Sequence, residues 1–137
     1  MKNRVEGVEK PKFKISELNI ENWQELKDLY LKLLEADPDA FADEYEEIAS
    51  HTEEVWRKSL EKNGTTFVAE EGGQLVGMGR INFYDELPGV PVLHNLGVLP
   101  EYRGQGIARK LIEAREEWAK SQGAKKVRLY VMADKEK

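Results

Sequence analysis

Apolar residues recur along the chain with two distinct periods, and the switches between them mark out its elements. Phe13-Lys14-Ile15-Ser16 alternates apolar and polar as a half-buried strand does, and Asn19 follows where a helix cap belongs. Trp23, Leu26, Leu29, Tyr30, Leu33 and Leu34 fall three and four apart, forming one stripe of a helix that stops before Asp37-Pro38. Between Ala40 and Lys62 the apolar positions thin to Phe41, Tyr45, Ile48, Val55, Trp56 and Leu60, which fits one or two shorter helices, with Ser50 and Glu53 spaced as a capping box. Thr65 to Ala69 and Leu75 to Tyr84 are β-rich and flank Gly72-Gly73, a dipeptide suited to a tight hairpin. Gly77 and Gly79 interrupt the second strand, predicting either a bulge or a close approach of another group to the backbone.

Val92 to Val98 reads as a buried strand, and Arg103-Gly104-Gln105-Gly106 leads into a long helix with the stripe Ile107, Leu111, Ala114 and Trp118, ending at Gly123. Lys126 to Met132 alternates once more and predicts a last strand. The order β, α, α, β, β, β, α, β ends in a strand-helix-strand crossover, so the last two strands should be parallel and joined right-handedly. The expected fold class is α/β of the α+β kind, a mixed, mostly antiparallel central sheet flanked by helices. It forms a single domain over residues 11–137, preceded by a flexible polar segment from Met1 to Lys10.

Composition narrows the chemistry. The 137 residues are 40% hydrophobic and 34% charged, as expected of a globular domain. Twenty-one Lys and Arg against 26 Asp and Glu give a net charge of -5, which argues against a nucleic acid partner. The absence of cysteine removes disulfides, thiolate nucleophiles and zinc-thiolate sites, and no spacing suggests a Ser-His-Asp triad or a metal cluster, so no metal is expected. Apolar runs are short and the first residues are not signal-like, so no membrane contact is expected and a cytoplasmic location is the default. Every charged side chain between Glu35 and Glu54 is acidic; such a run either attracts a cationic amine or is a solvated helix face.

The informative segment runs from Leu93 to Ala108: a strand, a turn and a helix start. Gly104 and Gly106 free the turn to aim consecutive N–H groups at one point, and the helix adds its positive dipole end, a geometry suited to phosphate or diphosphate. The same pattern also serves as a plain connection. A Walker loop would need Gly-x-x-x-x-Gly-Lys, and a dinucleotide fingerprint a small residue where Arg109 stands, so neither fits.

Arg103-Gly104-Gln105-Gly106-Ile107-Ala108, with Val98-Leu99-Pro100-Glu101-Tyr102 before it and an amphipathic helix after it, resembles the signature of the GNAT superfamily of acyl-CoA-dependent N-acyltransferases. The element order from Phe13 to Met132 is similar too. The resemblance implies an N-acetyltransferase that moves an acetyl group from acetyl-CoA, the cosubstrate, to a small-molecule or peptide amine by direct attack in a ternary complex. It implies coenzyme pyrophosphate on the amides of Gly104, Gln105, Gly106, Ile107, Ala108 and Arg109 beside Arg103, and a pantetheine arm along Leu96, Gly97 and Val98. Family members normally continue past the last strand with a helix and two more strands, which are expected to be missing here. A noncatalytic acyl-CoA-binding or interaction module is therefore the competing expectation, and the bare strand edge suggests a homodimer.

An amine of pKa near 10.4 is only about 0.1% neutral near pH 7.4, so a base near the splayed strands would help. His94 is the candidate catalytic base on the family resemblance, an ordinary pKa of about 6.5 suiting the task, while a strand histidine that is merely hydrogen-bonded is the alternative. Asn95 could instead hold water or substrate. His51 reads as a loop or cap residue, and Tyr130 as a sheet residue that could face the cofactor sulfur.

Overall fold

The computed structural model describes residues 12–130. The expected flexible segment, together with Val131 and Met132 of the expected last strand, lies outside them. Among the described residues five strands form one sheet in the order β1 (Lys14–Glu17), β2 (Gly64–Glu71), β3 (Gln74–Asn82), β4 (Val92–Val98) and β5 (Arg128–Leu129). The first three pairings are antiparallel and the β4–β5 pairing is parallel. The β2–β3 hairpin closes where expected, because Gly72 and Gly73 supply φ of 63° and 83°, the pair of positive angles that matches the twist of the flanking strands.

Helix α1 (Trp23–Ala36) buries Leu26, Leu29, Tyr30, Leu33 and Leu34, as the periodicity requires. Asn19 does cap, but through a preceding 3₁₀ turn: its side chain accepts from the Glu21 N–H at 2.9 Å. Two short helices follow, α2 (Tyr45–Ser50) and α3 (Glu53–Leu60). The expected Ser50–Glu53 box is corrected here. Thr52 is the N-cap of α3 and takes the Val55 N–H at 3.4 Å, whereas Ser50 turns back and donates to the Glu47 carbonyl at 2.7 Å. These helices cover one face of the sheet, and Leu33 and Phe41 press on Gly97 of β4.

The other face is covered by α4 (Ile107–Ser121), which buries Ile107, Leu111, Arg115 and Ala119. Its lower half is therefore rotated by one position from the expected Ala114 and Trp118, because the straight four-residue row continues through a fully buried arginine. That explains the two glycines of β3. A Cβ on Gly77 would meet Ile107 and Leu111 at 3.1 and 3.3 Å, and one on Gly79 would meet the Arg115 guanidinium at 3.2 Å. Close approach is thus their main role, and irregular register occurs as well: Ala69 pairs with Gly77 and Glu70 with Leu75, leaving Val76 as an extra residue. Among the described residues of the expected Lys126–Met132 run, β5 spans two.

Gly97 tests how tightly β4 is clamped. A Cβ there would lie 2.9 Å from Phe41 and 3.0 Å from Leu33, distances that require the core to move. Gly97→Ala should lower stability by about 1–3 kcal/mol, seen as a lower urea midpoint at unchanged slope. An unchanged midpoint would mean that the α1 face yields freely.

Candidate active site

The turn after β4 begins with a 3₁₀ segment at Pro100–Tyr102 and continues through Arg103 to Gly106. Gly104 and Gly106 hold φ of 84° and 90°, in the left-handed region that glycine adopts without strain. A Cβ on either would have nothing within 4 Å, so their role is conformational and open space flanks the turn. The Arg103 Nε donates to the Val98 carbonyl at 2.9 Å, tying the turn back to the end of β4. The first bond of α4 runs from the Lys110 N–H to the Gly106 carbonyl at 3.1 Å, so the preceding amides lie in the first turn, where a helix has no partners of its own. No acidic residue occupies that turn to neutralise it. A cavity of about 290 Å³ is lined by Leu96, Gly97, Val98, Arg103, Gly104, Gly106, Ile107, Ala108 and Arg109. All the coenzyme-binding residues expected from the resemblance thus come together, except Gln105, which is exposed outside the lining.

β4 changes partners across this site. Its pairing with β5 ends at Leu93↔Leu129, followed by one bond from the Tyr130 N–H to the Leu93 carbonyl at 2.9 Å. On its other side, Arg80 pairs with His94 and Met78 with Gly97, so Asn95 and Leu96 together oppose the single residue Gly79. Asn95 carries φ of 55°, the one positive φ among the described non-glycine residues. Beneath this bulge the Arg115 Nη1 donates to the Arg80 and His94 carbonyls at 3.0 and 3.2 Å. Burial of Arg115 lowers its pKa to about 10, which leaves the group charged at neutral pH.

A second cavity, of about 460 Å³, lies against α1, α2 and α3. Its wall includes Tyr30, Asp43, Trp56, Met78, Arg80 and Asn95. The Tyr30 hydroxyl donates to Asp43 at 2.7 Å, and burial raises the Tyr30 pKa far beyond the usual phenol range, so the hydroxyl keeps its proton. Asn95 lines this cavity and Leu96 the smaller one, so consecutive residues of the bulge face different spaces.

The family model for the acetyltransferase (GNAT) family matches residues 23–137. The chain belongs to that family. An uncharacterized N-acetyltransferase of Archaeoglobus fulgidus is 39% identical over 80 residues, which cover 56% of this chain and 54% of that protein, so the match spans about half of the relative. An aminoglycoside acetyltransferase from an uncultured soil metagenomic sample superposes with TM-score 0.72 at 21% identity, over 90% of this chain and 82% of that one. The PaiA N-acetyltransferase of Thermoplasma acidophilum, solved in complex with coenzyme A, gives 0.64 at 20% identity over 87% and 79%. Both superpositions show a shared fold.

Within this GNAT domain His94 is set differently from the expectation. Asn82 Nδ2 donates to the Asn63 carbonyl at 3.3 Å, which turns Oδ1 toward His94 at 2.7 Å and assigns the imidazole proton to Nε2, with the Tyr84 hydroxyl 3.4 Å from the same nitrogen. Burial first, then the Arg80 and Arg115 charges, push its pKa down to about 4. The ring is neutral at physiological pH, and the ordinary pKa expected for a base is corrected. His51 is the C-cap of α2, as expected of a loop or cap residue, and also lines the larger cavity, while Tyr130 is 54% exposed beside β5. Sequence reasoning missed Arg80 and Arg115, although Arg115 continues the four-residue row of Ile107 and Leu111. Among the described residues no cluster of His, Asp or Glu could hold a metal ion, and no helix is long and apolar enough to cross a membrane.

The depressed His94 pKa makes stability depend on pH. The unfolded chain takes up this proton near pH 6.5 and the folded chain near 4, so the His94 contribution is complete above about 6.5 and is lost as pH falls toward 4. His94→Gln should flatten the stability profile in that window, and an NMR titration should keep the His94 ring neutral down to about pH 5. A native midpoint near 6.5 would remove the argument.

Proposed function

We propose that the domain transfers the acetyl group of acetyl-CoA to a primary amine by direct attack in a ternary complex. The coenzyme lies on the turn at Gly104–Arg109 and along Leu96–Val98, and the amine occupies the cavity beside α1, α2 and α3. The observation that carries this reading is the β4 bulge, whose adjacent residues Asn95 and Leu96 line the two cavities and so give two substrates one meeting place. Family membership supports it over a noncatalytic acyl-CoA-binding module.

The residues fit a pyrophosphate: left-handed glycines with open space beside them, a helix start free of acids, and Arg103 and Arg109 in the lining. Bound there, acetyl-CoA supplies an activated thioester whose carbonyl carbon takes the amine as the thiol departs. The protein's own share is orientation. Arg115 fixes the carbonyls of the bulge, Gly97 lets α1 close against β4, and Asn95 presents an amide side chain to the amine cavity. With its pKa near 4, His94 holds little of the amine proton at neutral pH, so the supply of neutral amine comes from solution equilibrium. In this reading His94 orders Asn82 and the β3–β4 pairing.

Two measurements test the scheme. Gly106→Asp should weaken acetyl-CoA binding by about a hundredfold or more in calorimetry, because a carboxylate opposes the pyrophosphate at close range, while Gly106→Asn, which also tolerates the left-handed φ, should bind considerably better. Equal affinity in the Asp variant and the parent would remove the turn from the coenzyme site. His94→Gln should leave the rise of kcat/KM with pH, which follows the amine, in place. A loss of about 10²-fold at neutral pH that disappears at high pH would restore His94 as the base.

A further inference from the structure

The charge on the wall of the larger cavity opposes what the acidic stretch from Glu35 to Glu54 suggests. Of those acids only Asp43 lines the cavity, and the Tyr30 hydroxyl already engages it at 2.7 Å. Glu53 and Glu54 instead pair along their own helix with Arg57 and Lys58, at 2.7 and 3.8 Å. The remaining acids of the stretch are exposed.

The cations on the wall are Lys58, Lys62 and Arg80. Arg80 is the informative one, since it rises near the end of β3, on the strand that backs the cavity. Its Nη1 and Nη2 donate to the Ser59 hydroxyl and carbonyl at 3.3 and 3.1 Å, both neutral acceptors, and its Nε is buried without a partner. Among the described residues no carboxylate forms an ion pair with it. Trp56, only 6% exposed, lines the same cavity and its indole N–H also lacks an acceptor. The wall thus combines three cations, of which Lys58 is also paired with Glu54 at the exposed face of its helix, with one engaged carboxylate and two buried donors left unmatched. Asp43 acts on Arg80 through space but forms no hydrogen-bonded ion pair with it, and a partly desolvated cation so incompletely countered favours an anion nearby.

We propose that the acceptor taken by this cavity is an amine that also carries an oxyanion group, a carboxylate in the simplest case, facing Arg80, Lys58 and Lys62 while the nitrogen turns toward Asn95. A polyamine would set its second ammonium against those three cations, a like-charge juxtaposition that disfavours it. The proposal takes the fate of the amine from the acetyl-transfer reading, whereas the charge preference belongs to the cavity alone.

Three amines of equal chain length isolate the far end: 5-aminopentanoate, 1,5-diaminopentane and 1-aminopentane. Binding is read by calorimetry and by tryptophan fluorescence in a Trp23→Phe/Trp118→Phe background that leaves Trp56 as the reporter, and transfer by release of coenzyme thiol. 5-Aminopentanoate should bind about tenfold more tightly than the diamine, with a matching ratio in kcat/KM, and the preference should shrink as salt is raised. Lys58→Gln combined with Lys62→Gln, at exposed positions, should cut the ratio to about threefold. Arg80→Met should remove most of what remains, with circular dichroism confirming the fold. 3-Aminopropyl phosphate binding as tightly as the carboxylate supports the oxyanion and identifies phosphate as an alternative source. The proposal is overturned if the diamine binds as well as 5-aminopentanoate, if neither binds, or if the ratio is unmoved in the lysine variant. A carboxylate preference without thiol release would leave the cavity's charge selection standing and contradict acetyl transfer instead.

Discussion

One guanidinium group holds the place where the ladder breaks. Arg115 Nη1 donates to the carbonyls of Arg80 and His94, residues that face each other across β3 and β4 at the edge of the bulge. Because strand side chains alternate with a period of two, a slip of one residue would send every side chain beyond it to the opposite face. Here the single extra residue between His94 and Gly97 performs that exchange in a fixed place: these two residues, three apart, stand opposite Arg80 and Met78 on one face, with Asn95 and Leu96 between them lining different cavities. Gly79 favours the arrangement, since even a Cβ there would press on the arginine side chain at 3.2 Å. A buried cation with Nε and Nη2 unpartnered costs stability, so its place here reflects what the backbone carbonyls gain from it.

The parts of the fold that were legible in the sequence are those governed by local rules. The α1 stripe, the Gly72-Gly73 hairpin, the β4 limits and the glycine turn into α4 each depend on periodicity or on a φ that only certain residues adopt, and each lies where the sequence places it. The misses share another cause. The capping role passed from Ser50 to Thr52 because helix α2 runs on to Ser50, whose hydroxyl is taken by Glu47. Arg115 lies on the four-residue row of Ile107 and Leu111, but burial of a charged side chain there is justified only by carbonyls supplied from two distant strands. The low His94 pKa arises from burial first and then from the charges of Arg80 and Arg115, which no spacing within β4 reveals.

The two sides of the reaction proposed for this GNAT domain were legible in unequal measure. The coenzyme side is written in one contiguous stretch, because a turn and a helix start are made by neighbours in sequence. The amine side is assembled from α1, α2, α3 and β3, so its lining residues carry no common motif, and the acidic run misleads as to its charge. Only the folded chain shows that most of those acids face outward while Arg80 faces in.

The central claim is that the two cavities serve separate substrates and meet at the β4 bulge. Amide chemical shifts followed by NMR on adding acetyl-CoA test it most directly. The account predicts large changes at Gly104–Arg109 and Leu96–Val98, with little change around Val55, Trp56 and Ser59 until an amine is added. Changes centred on α3, or no change at the glycine turn, would contradict it.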